Sequence, residues 1–314
     1  MSLCLVTGGA GFIGSSLARA LLARGDKVRI IDNFSSGKRE NLADFADKVD
    51  LIEGDILDDK ALARAVDGAE LIFHEAAIPS VPKSMAEPVE NHAANATGTI
   101  RVLEQARRAK VRRVVYAASS AAYGEDPVLP KVETMAPAPI SPYGGSKLAG
   151  EQYMQIYARA YGLETVCLRY FNVFGPRQDP QSEYAAVIPK FITVALSGKQ
   201  PRIFGDGSQS RDFCFIDNVI EANFKAASAD ARQVSGGVFN VACGQATDLN
   251  RVVALIGDFL GKKIEPIYED ERAGDIKHSW ADISAARARL GYTAGVSFSE
   301  GLGRTIDWYK ARLV

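Results

Sequence analysis

Histidine is scarce in this 314-residue chain: His74, His92 and His278 stand far apart, and no H-x-x-x-H pair occurs. A structural or catalytic metal is therefore not expected. Cys4, Cys167, Cys214 and Cys243 are the only cysteines, scattered without metal-type spacing and mostly set in apolar runs. They read as buried free thiols of a reducing compartment. Excess charge of either sign is missing too. With 37 basic and 38 acidic residues the net charge is −1, so no bulk field favours nucleic acid or a membrane surface. No apolar run is long enough to span a bilayer, and no charged leader precedes a long apolar stretch. Repeats, low-complexity tracts and flexible linkers are lacking, and the C-terminal half has no basic stripe or aromatic series of a binding module. These absences together point to a soluble, cytoplasmic protein with no nucleic-acid or membrane partner.

What is present is a rhythm. Strand-like runs at 3–6, 28–31, 49–52, 71–73, 114–117 and 165–169 alternate with helical patterns at 13–22, 60–66, 99–109 and 146–161. Alternation at this spacing implies parallel strands joined by right-handed helical crossovers, hence an α/β, doubly wound sheet. After about Phe171 the rhythm changes. Gly175-Pro176-Arg177-Gln178-Asp179-Pro180 reads as a Pro- and charge-rich loop and Gly205-Asp206-Gly207-Ser208 as a turn. The expected division is a first domain over 1–172 and a smaller, mixed α/β C-terminal domain over 173–314. Strand-like runs at 213–216 and 238–241 suggest that the chain returns to the first domain near 213–241. The chain is expected to end in an amphipathic helix at 298–313, and a cleft is expected between the two lobes.

Thr7-Gly8-Gly9-Ala10-Gly11-Phe12-Ile13-Gly14 follows the first strand and opens a helix. The spacing Gly8-x-x-Gly11-x-x-Gly14 is a variant of the dinucleotide fingerprint of Rossmann-type sheets. Gly8 permits the tight turn, Gly11 lets backbone approach a pyrophosphate, and Gly14 allows close helix–sheet packing. The helix N-terminus then offers free N–H groups and a favourable dipole. Asp32 ends the second strand about 20 residues on, where an acid bonds the adenosine ribose and repels a 2′-phosphate. NAD is favoured over NADP on that ground. Lys38 and Arg39 lie close enough to grip a phosphate or to form a solvated charge pair. Asp55-Ile56 is placed to cap adenine, or Asp55 is a plain helix N-cap. Ala76-Ala77 would let backbone approach the cofactor, and Phe12, Ile13, Asn33 and Asn95 complete the expected cofactor contacts.

Tyr143 and Lys147, in Ser141-Pro142-Tyr143-Gly144-Gly145-Ser146-Lys147, share a helix face at i and i+4. An adjacent ammonium favours the phenolate form of a tyrosine. Half-ionisation at pH 7 needs a shift of about 3 units, or ~4 kcal/mol, which Lys147 and a positively charged nicotinamide are expected to supply together. Ser119-Ser120 ends the strand before this helix and reads, taken alone, as an ordinary hydroxyl-rich strand end.

These motifs stand in order with His74-Glu75-Ala76-Ala77, Ser119-Ser120-Ala121-Ala122-Tyr123-Gly124 and Arg169-Tyr170-Phe171-Asn172-Val173-Phe174-Gly175-Pro176. The string resembles an extended short-chain dehydrogenase/reductase over essentially the whole chain. Within that superfamily it is most similar to nucleotide-sugar 4-epimerases, nearest their UDP-N-acetylglucosamine branch. The resemblance implies NAD binding by 1–172 and UDP-sugar binding by 173–314. It implies Tyr143 as acid/base, Lys147 as its electrostatic partner and ribose ligand, and Ser119 as donor to the reacting oxygen, with Ser120 a secondary candidate. Related dehydratases and decarboxylases carry carboxyls where Ser120 and Ala121 stand here. Elimination needs a second proton-transfer group, so epimerisation at C4 through a 4-keto sugar that swings and takes the hydride back is the implied reaction.

By the same resemblance Asn172, Arg211, Arg272 and Asp275 hold the nucleotide diphosphate, and Ala186, Val187 and Phe204 form part of the uracil site. Lys83 and Ser84 reach the sugar or diphosphate, or else belong to a solvated loop at 79–84. Relatives restricted to glucose and galactose carry a tyrosine where Ser279 stands. The small residue leaves room for a 2-acetamido group and favours UDP-N-acetylglucosamine and UDP-N-acetylgalactosamine, alongside the unacetylated sugars. A UDP-hexuronate 4-epimerase or UDP-glucuronate decarboxylase is the alternative on this scaffold. A non-catalytic NAD(P)-sensing regulator is the alternative of another class, disfavoured because Tyr143 and Lys147 are both kept. Relatives pair through two long helices, here 99–109 and 146–161. Leu148, Tyr153, Ile156 and Tyr157 would face a homodimer partner or line the core.

Overall fold

The computed structural model describes residues 2–180, 186–271 and 277–313. Its frame is a run of parallel strands, β1 (Leu3–Thr7), β2 (Lys27–Asp32), β3 (Asp50–Glu53), β4 (Leu71–His74), β5 (Arg113–Ser119) and β6 (Glu164–Tyr170). All seven residues of β5 are buried, the mark of a parallel strand covered on both faces. Helices α1 (Phe12–Ala23), α2 (Asp59–Val66), α3 (Val81–Ala86), α4 (Pro88–His92), α5 (Gly98–Arg108) and α6 (Pro142–Tyr161) make the crossovers. The spatial order β6-β5-β4-β1-β2-β3 reverses between β1 and β4. That switch point opens a crevice at the carboxyl ends of the strands, where the glycine turn after β1 lies.

Beyond β6 come β7 (Val173–Phe174), α7 (Val187–Leu196), β8 (Arg202–Phe204), β9 (Ser210–Arg211) and β10 (Cys214–Phe215). Helices α8 (Ile216–Ser228) and α9 (Ala231–Val234) then lead to β11 (Gly237–Val241), which lies parallel to β6 as the seventh strand of the main sheet. The rest is β12 (Thr247–Asp248), α10 (Leu249–Leu260), β13 (Ile267–Glu269), β14 (His278–Ser279), α11 (Ser284–Leu290) and α12 (Phe298–Leu313). Strands β12, β9 and β14 form a small mixed sheet. Phe298 of α12 packs on Phe174 and Phe213 with ring centroids 5.4 and 5.3 Å apart, joining the last helix to the segment after β6.

Three local expectations shift. The strand expected over 213–216 is only β10, paired with β7 outside the main sheet, because Ile216 already begins α8. The loop expected over 79–84 contains α3, started by Ser80 Oγ accepting from Lys83 N and by a proline in the first turn. Helix α6 begins at Pro142, earlier than 146, because Ser141 caps it by accepting from Gly144 N, and Gly162 at φ +70° ends it. Tyr143 thereby stands in its first turn.

The seat of α6 on the sheet is a buried ion pair: Arg169 Nε and Nη2 donate to the two Glu151 oxygens at 2.8 and 2.7 Å. Of the α6 residues weighed for a partner surface, Tyr153 and Ile156 are exposed, Leu148 is half-buried, and Tyr157 is buried. Among the described residues no helix is long and apolar enough to cross a membrane.

Candidate active site

A cavity of roughly 700 Å³ lies over the carboxyl ends of the strands, lined at one end by Asp32 and Asp55 and at the other by Ser119, Tyr143 and Lys147. The glycine turn forms part of its wall through Gly8, Gly11, Phe12, Ile13 and Gly14. Gly8 takes φ +66°, and a Cβ there would stand 2.7 Å from Ala76 Cα. A Cβ on Gly14 would stand 2.2 Å from Gly8 O, so this glycine sets the contact of α1 with the turn. A Cβ on Gly11 would meet only Gly8 O at 3.2 Å. Gly11 caps α1 with no side-chain bond, and the first turn holds no acidic residue. Unblocked amides at a helix N-terminus, facing a cavity, suit a diphosphate.

Asp32 is buried, and its two oxygens accept from Ala10 N and Phe34 N, each at 2.8 Å. Burial pushes its carboxyl up, against the pull of those two N–H groups. Asn33 Nδ2 donates to Asp55 Oδ2 at 2.7 Å, while Asp55 Oδ1 accepts from Leu57 N. The cap of α2 is Asp58 rather than Asp55, which leaves the Asp55-Ile56 pair facing the cavity. Ala76 and Ala77 also line it. Asn95 does not: it is buried, accepting from Ile78 N at 2.8 Å and donating to Ile78 O at 3.2 Å and to Ser146 Oγ at 3.0 Å. It fixes the backbone after β4 from a π-helical turn over Ala93–Thr97, a local widening often found beside functional sites. A dinucleotide fits this donor set: an acid at the end of β2, open amides at α1, and polar side chains at the far end.

At that far end Ser119 Oγ accepts from Ala121 N at 3.1 Å, and the Ser119 hydroxyl and the Tyr143 phenol line the same end of the cavity, close enough for the hydroxyl to ease the phenol's ionisation. Gly144 and Gly150 bring α6 close. A Cβ on Gly144 would stand 2.8 Å from Ala121 O, and one on Gly150 would stand 2.4 Å from the Tyr116 hydroxyl. Lys147 is buried, donates to Ala117 O at 2.8 Å, and has Nζ 5.0 Å from the centre of the Tyr116 ring. Burial pushes its ammonium down to about 8, with Glu75 opposing. The expected pull of Lys147 on the phenol is not what acts here. Burial pushes Tyr143 up, and the opposing pull comes from the Ser119 hydroxyl, while the ammonium is turned to a backbone carbonyl. Ser120 lines the same end.

The other expected site residues are placed unevenly. Asn172 and Ala186 line the cavity, and Val187 begins α7 behind Ala186. Asn172 Nδ2 donates to Asp212 O at 3.3 Å, one residue after Arg211. Arg211 and Ser279 are register partners in the small mixed sheet. Neither they nor Phe204, at the end of β8, line the cavity among the described residues, and Arg272 and Asp275 lie outside the described residues. Ser84 is buried against α6, accepting from Tyr143 N and donating to Val81 O, and Lys83 pairs on the surface with Glu87 and Glu90.

Sequence reasoning left four residues without a role. Glu75 lines the cavity, and its carboxyl accepts from the Tyr170 hydroxyl at 2.9 Å, itself bonded by Asn223 Nδ2 at 2.8 Å. Asp212 is buried and accepts from the N–H groups of Cys243, Gly244, Gln245 and Ala281, tying β9, the end of β11 and the segment after β14 together. Arg177 lines the cavity from the loop after β7. Glu75 and Tyr170 stand in the motifs already singled out, but their meeting across the sheet has no signal in local spacing.

Burial pushes Glu75 from an ordinary value of 4.5 up to about 7, against the pulls of Tyr170 and Lys147. An acid raised in this way lends stability that is whole below pH 4.5 and lost as pH rises through 7. Glu75→Gln keeps the protonated shape at every pH. In the cofactor-free protein its stability advantage over the parent is expected to widen by about 2 kcal/mol between pH 5 and pH 8, after discounting for partial exposure. Urea unfolding at the two pH values checks it, and a constant difference rules the raised carboxyl out.

Comparison with known proteins agrees with this geometry. The model of the NAD dependent epimerase/dehydratase family matches residues 4–242. A UDP-glucose 4-epimerase of Mycolicibacterium smegmatis is 39% identical over 310 residues, 98% of each chain. The solved structure of a UDP-N-acetylglucosamine 4-epimerase from Methanobrevibacter ruminantium, in complex with UDP-N-acetylmuramic acid, superposes with a TM-score of 0.94 at 42% identity, covering 99% of both chains. A UDP-glucose 4-epimerase from Thermotoga maritima, solved with UDP-glucose, superposes with a TM-score of 0.93 at 37% identity, covering 99% of this chain and 100% of that one.

Proposed function

Because this chain belongs to the NAD dependent epimerase/dehydratase family, we propose that it is a UDP-sugar 4-epimerase whose preferred pair is UDP-N-acetylglucosamine and UDP-N-acetylgalactosamine. The observation that carries the reading is the meeting of Ser119, Tyr143 and buried Lys147 in one cavity with the glycine turn. Gly8, Gly11, Phe12, Ile13, Gly14, Asp32, Asn33, Asp55, Ile56, Ala76 and Ala77 would hold the cofactor. Asp32 and the engagement of Arg39 by Glu53 and Lys38 by Asp179 favour NAD over its 2′-phosphate. Bound NAD supplies the acceptor, and then the donor, of the C4 hydride.

The residues of the chain handle the proton and the pose. Tyr143 takes the proton of the C4 hydroxyl and gives it back on the other face of the sugar. Ser119 donates to the same oxygen, and Lys147 holds the ribose and favours the phenolate as charge develops. The sugar must turn while its nucleotide stays put, so firm contacts belong at the diphosphate. Arg211 suits that task through its planar fork, with Asn172 nearby and Arg272 and Asp275 expected to join them. Ser120 and Ala121 provide no carboxyl for elimination. The exposed face of α6 at Tyr153 and Ile156, beside α5, is the proposed homodimer surface.

Purified protein incubated without added cofactor is expected to interconvert UDP-N-acetylglucosamine with UDP-N-acetylgalactosamine, read by proton NMR, and to turn over UDP-glucose more slowly. No interconversion of any UDP-hexose, even with NAD added, rules out the epimerase. Carbon dioxide release from UDP-glucuronate identifies a decarboxylase instead. Ser279→Tyr is expected to lower turnover of the acetamido sugar about tenfold or more relative to glucose. An equal effect on both sugars removes Ser279 as the selector.

A further inference from the structure

Three ties fasten the loop at 175–180 over the cavity. Lys38 Nζ reaches Asp179 Oδ2 at 2.6 Å, from a segment whose Lys38 N donates to Ala10 O of the glycine turn at 3.0 Å. Gln178 Nε2 donates to Val173 O at 3.2 Å, and the Tyr309 hydroxyl of α12 donates to Gln178 O. Gly37, Lys38, Arg177, Gln178 and Asp179 all line the cavity, so the Lys38–Asp179 pair joins the segment after β2 to the segment after β7 across it.

Arg177 is set oddly inside this span. It takes φ +70°, a conformation that non-glycine residues rarely adopt. Its Nη2 meets Ser16 Oγ on α1 at 3.4 Å, and its Nε is buried with no hydrogen-bond partner among the described residues. The guanidinium thus stands beside the N-terminal half of α1, the positive end of that helix, where no first-turn acid offsets it. It also depresses Arg19, and Arg312 acts on Arg177 in the same sense while Asp217 opposes it, each effect smaller than burial. Converging positive charge with an unfilled donor calls for an anion.

We propose that the loop at 175–180 is a strap over the bound dinucleotide, with Arg177 gripping its diphosphate and Lys38–Asp179 as the clasp. The inference rests on the NAD reading above. A reaction that returns its hydride to the same cofactor has no use for cofactor exchange, and a strap that slows release serves it.

Release of radiolabelled NAD from the loaded protein into excess unlabelled NAD, followed by rapid filtration, tests the strap. Lys38→Asp and Asp179→Lys are each expected to speed release about three- to tenfold, as befits an exposed ion pair turned to repulsion. The double exchange Lys38→Asp/Asp179→Lys restores release to within about twofold of the parent. Arg177→Gln speeds it about tenfold or more, and Arg177→Lys lies between, because an ammonium keeps the charge without the fork. Single exchanges that release at the parental rate, or a double exchange no slower than the singles, overturn the clasp. Unchanged release from Arg177→Gln overturns the grip. A parent protein that binds no labelled NAD overturns the NAD reading itself, a distinct result.

Discussion

Tyr143→Phe is expected to lower turnover of the preferred UDP-hexose by about 10³-fold, within the 10²–10⁴ span that a positioned acid/base contributes. The substitution removes one oxygen and leaves the ring, so α6 keeps its packing and the fall belongs to chemistry. It appears in kcat far more than in KM, because the phenol meets the C4 oxygen most strongly as the proton moves. Burial raises the phenol in this site, and the Ser119 hydroxyl only partly opposes that rise. At pH 7 an ordinary phenol already costs about 4 kcal/mol to ionise. The proposed reaction therefore needs charge brought by the reacting partners, and Lys147 reaches the phenol only by leaving the Ala117 carbonyl it now bonds. Steady-state rates with the two acetamido sugars measure the effect, and a loss below tenfold assigns the proton to another group.

Gly14→Ala is the second large effect, and it falls on the fold. The added Cβ would lie 2.2 Å from Gly8 O and 2.9 Å from both Gly8 C and Gly9 Cα, all backbone atoms that cannot step aside. Helix α1 must move off the turn, which costs about 3 kcal/mol or more as overpacking and displaces the amides offered to the cofactor. Gly11→Ala separates the two roles. Its Cβ meets only Gly8 O at 3.2 Å, so the fold is kept while the new methyl obstructs the diphosphate. Thermal unfolding of the cofactor-free proteins and titration with NAD give the two readouts. Gly14→Ala is expected to fail both, and Gly11→Ala only the second. Equal unfolding temperatures for the two variants contradict the packing argument.

How much was legible in the sequence follows from the range of each interaction. The glycine turn and Asp32 are written in local spacing, because one strand–turn–helix–strand unit sets both, and Tyr143 and Lys147 share a face one turn apart on a single helix. Ser119 became meaningful only through the resemblance, since a hydroxyl at a strand end has many uses. Local sequence offers Ser84 either a substrate contact or a solvated loop, whereas a capped helix buries it against α6, a consequence of the Ser80 cap meeting a proline. Glu75 and Tyr170 meet because β4 and β6 flank β5, and no spacing rule pairs residues so far apart in sequence. Arg177 reaches Ser16, and Asp212 gathers amides from the segments after β11 and β14, with as little local signal. Periodicity finds elements, and partners across the sheet appear only once the elements are stacked.

Strand β6 ends at Tyr170, and its outer neighbour β11 begins only at Gly237. On the ribosome, at 5–20 residues per second, the row of open backbone groups along β6 waits several seconds for its partner. An unpaired edge of that kind invites pairing with other chains. The segment at 171–236, made between those two strands, therefore has a part in biogenesis. Its completion decides when the sheet stops being sticky.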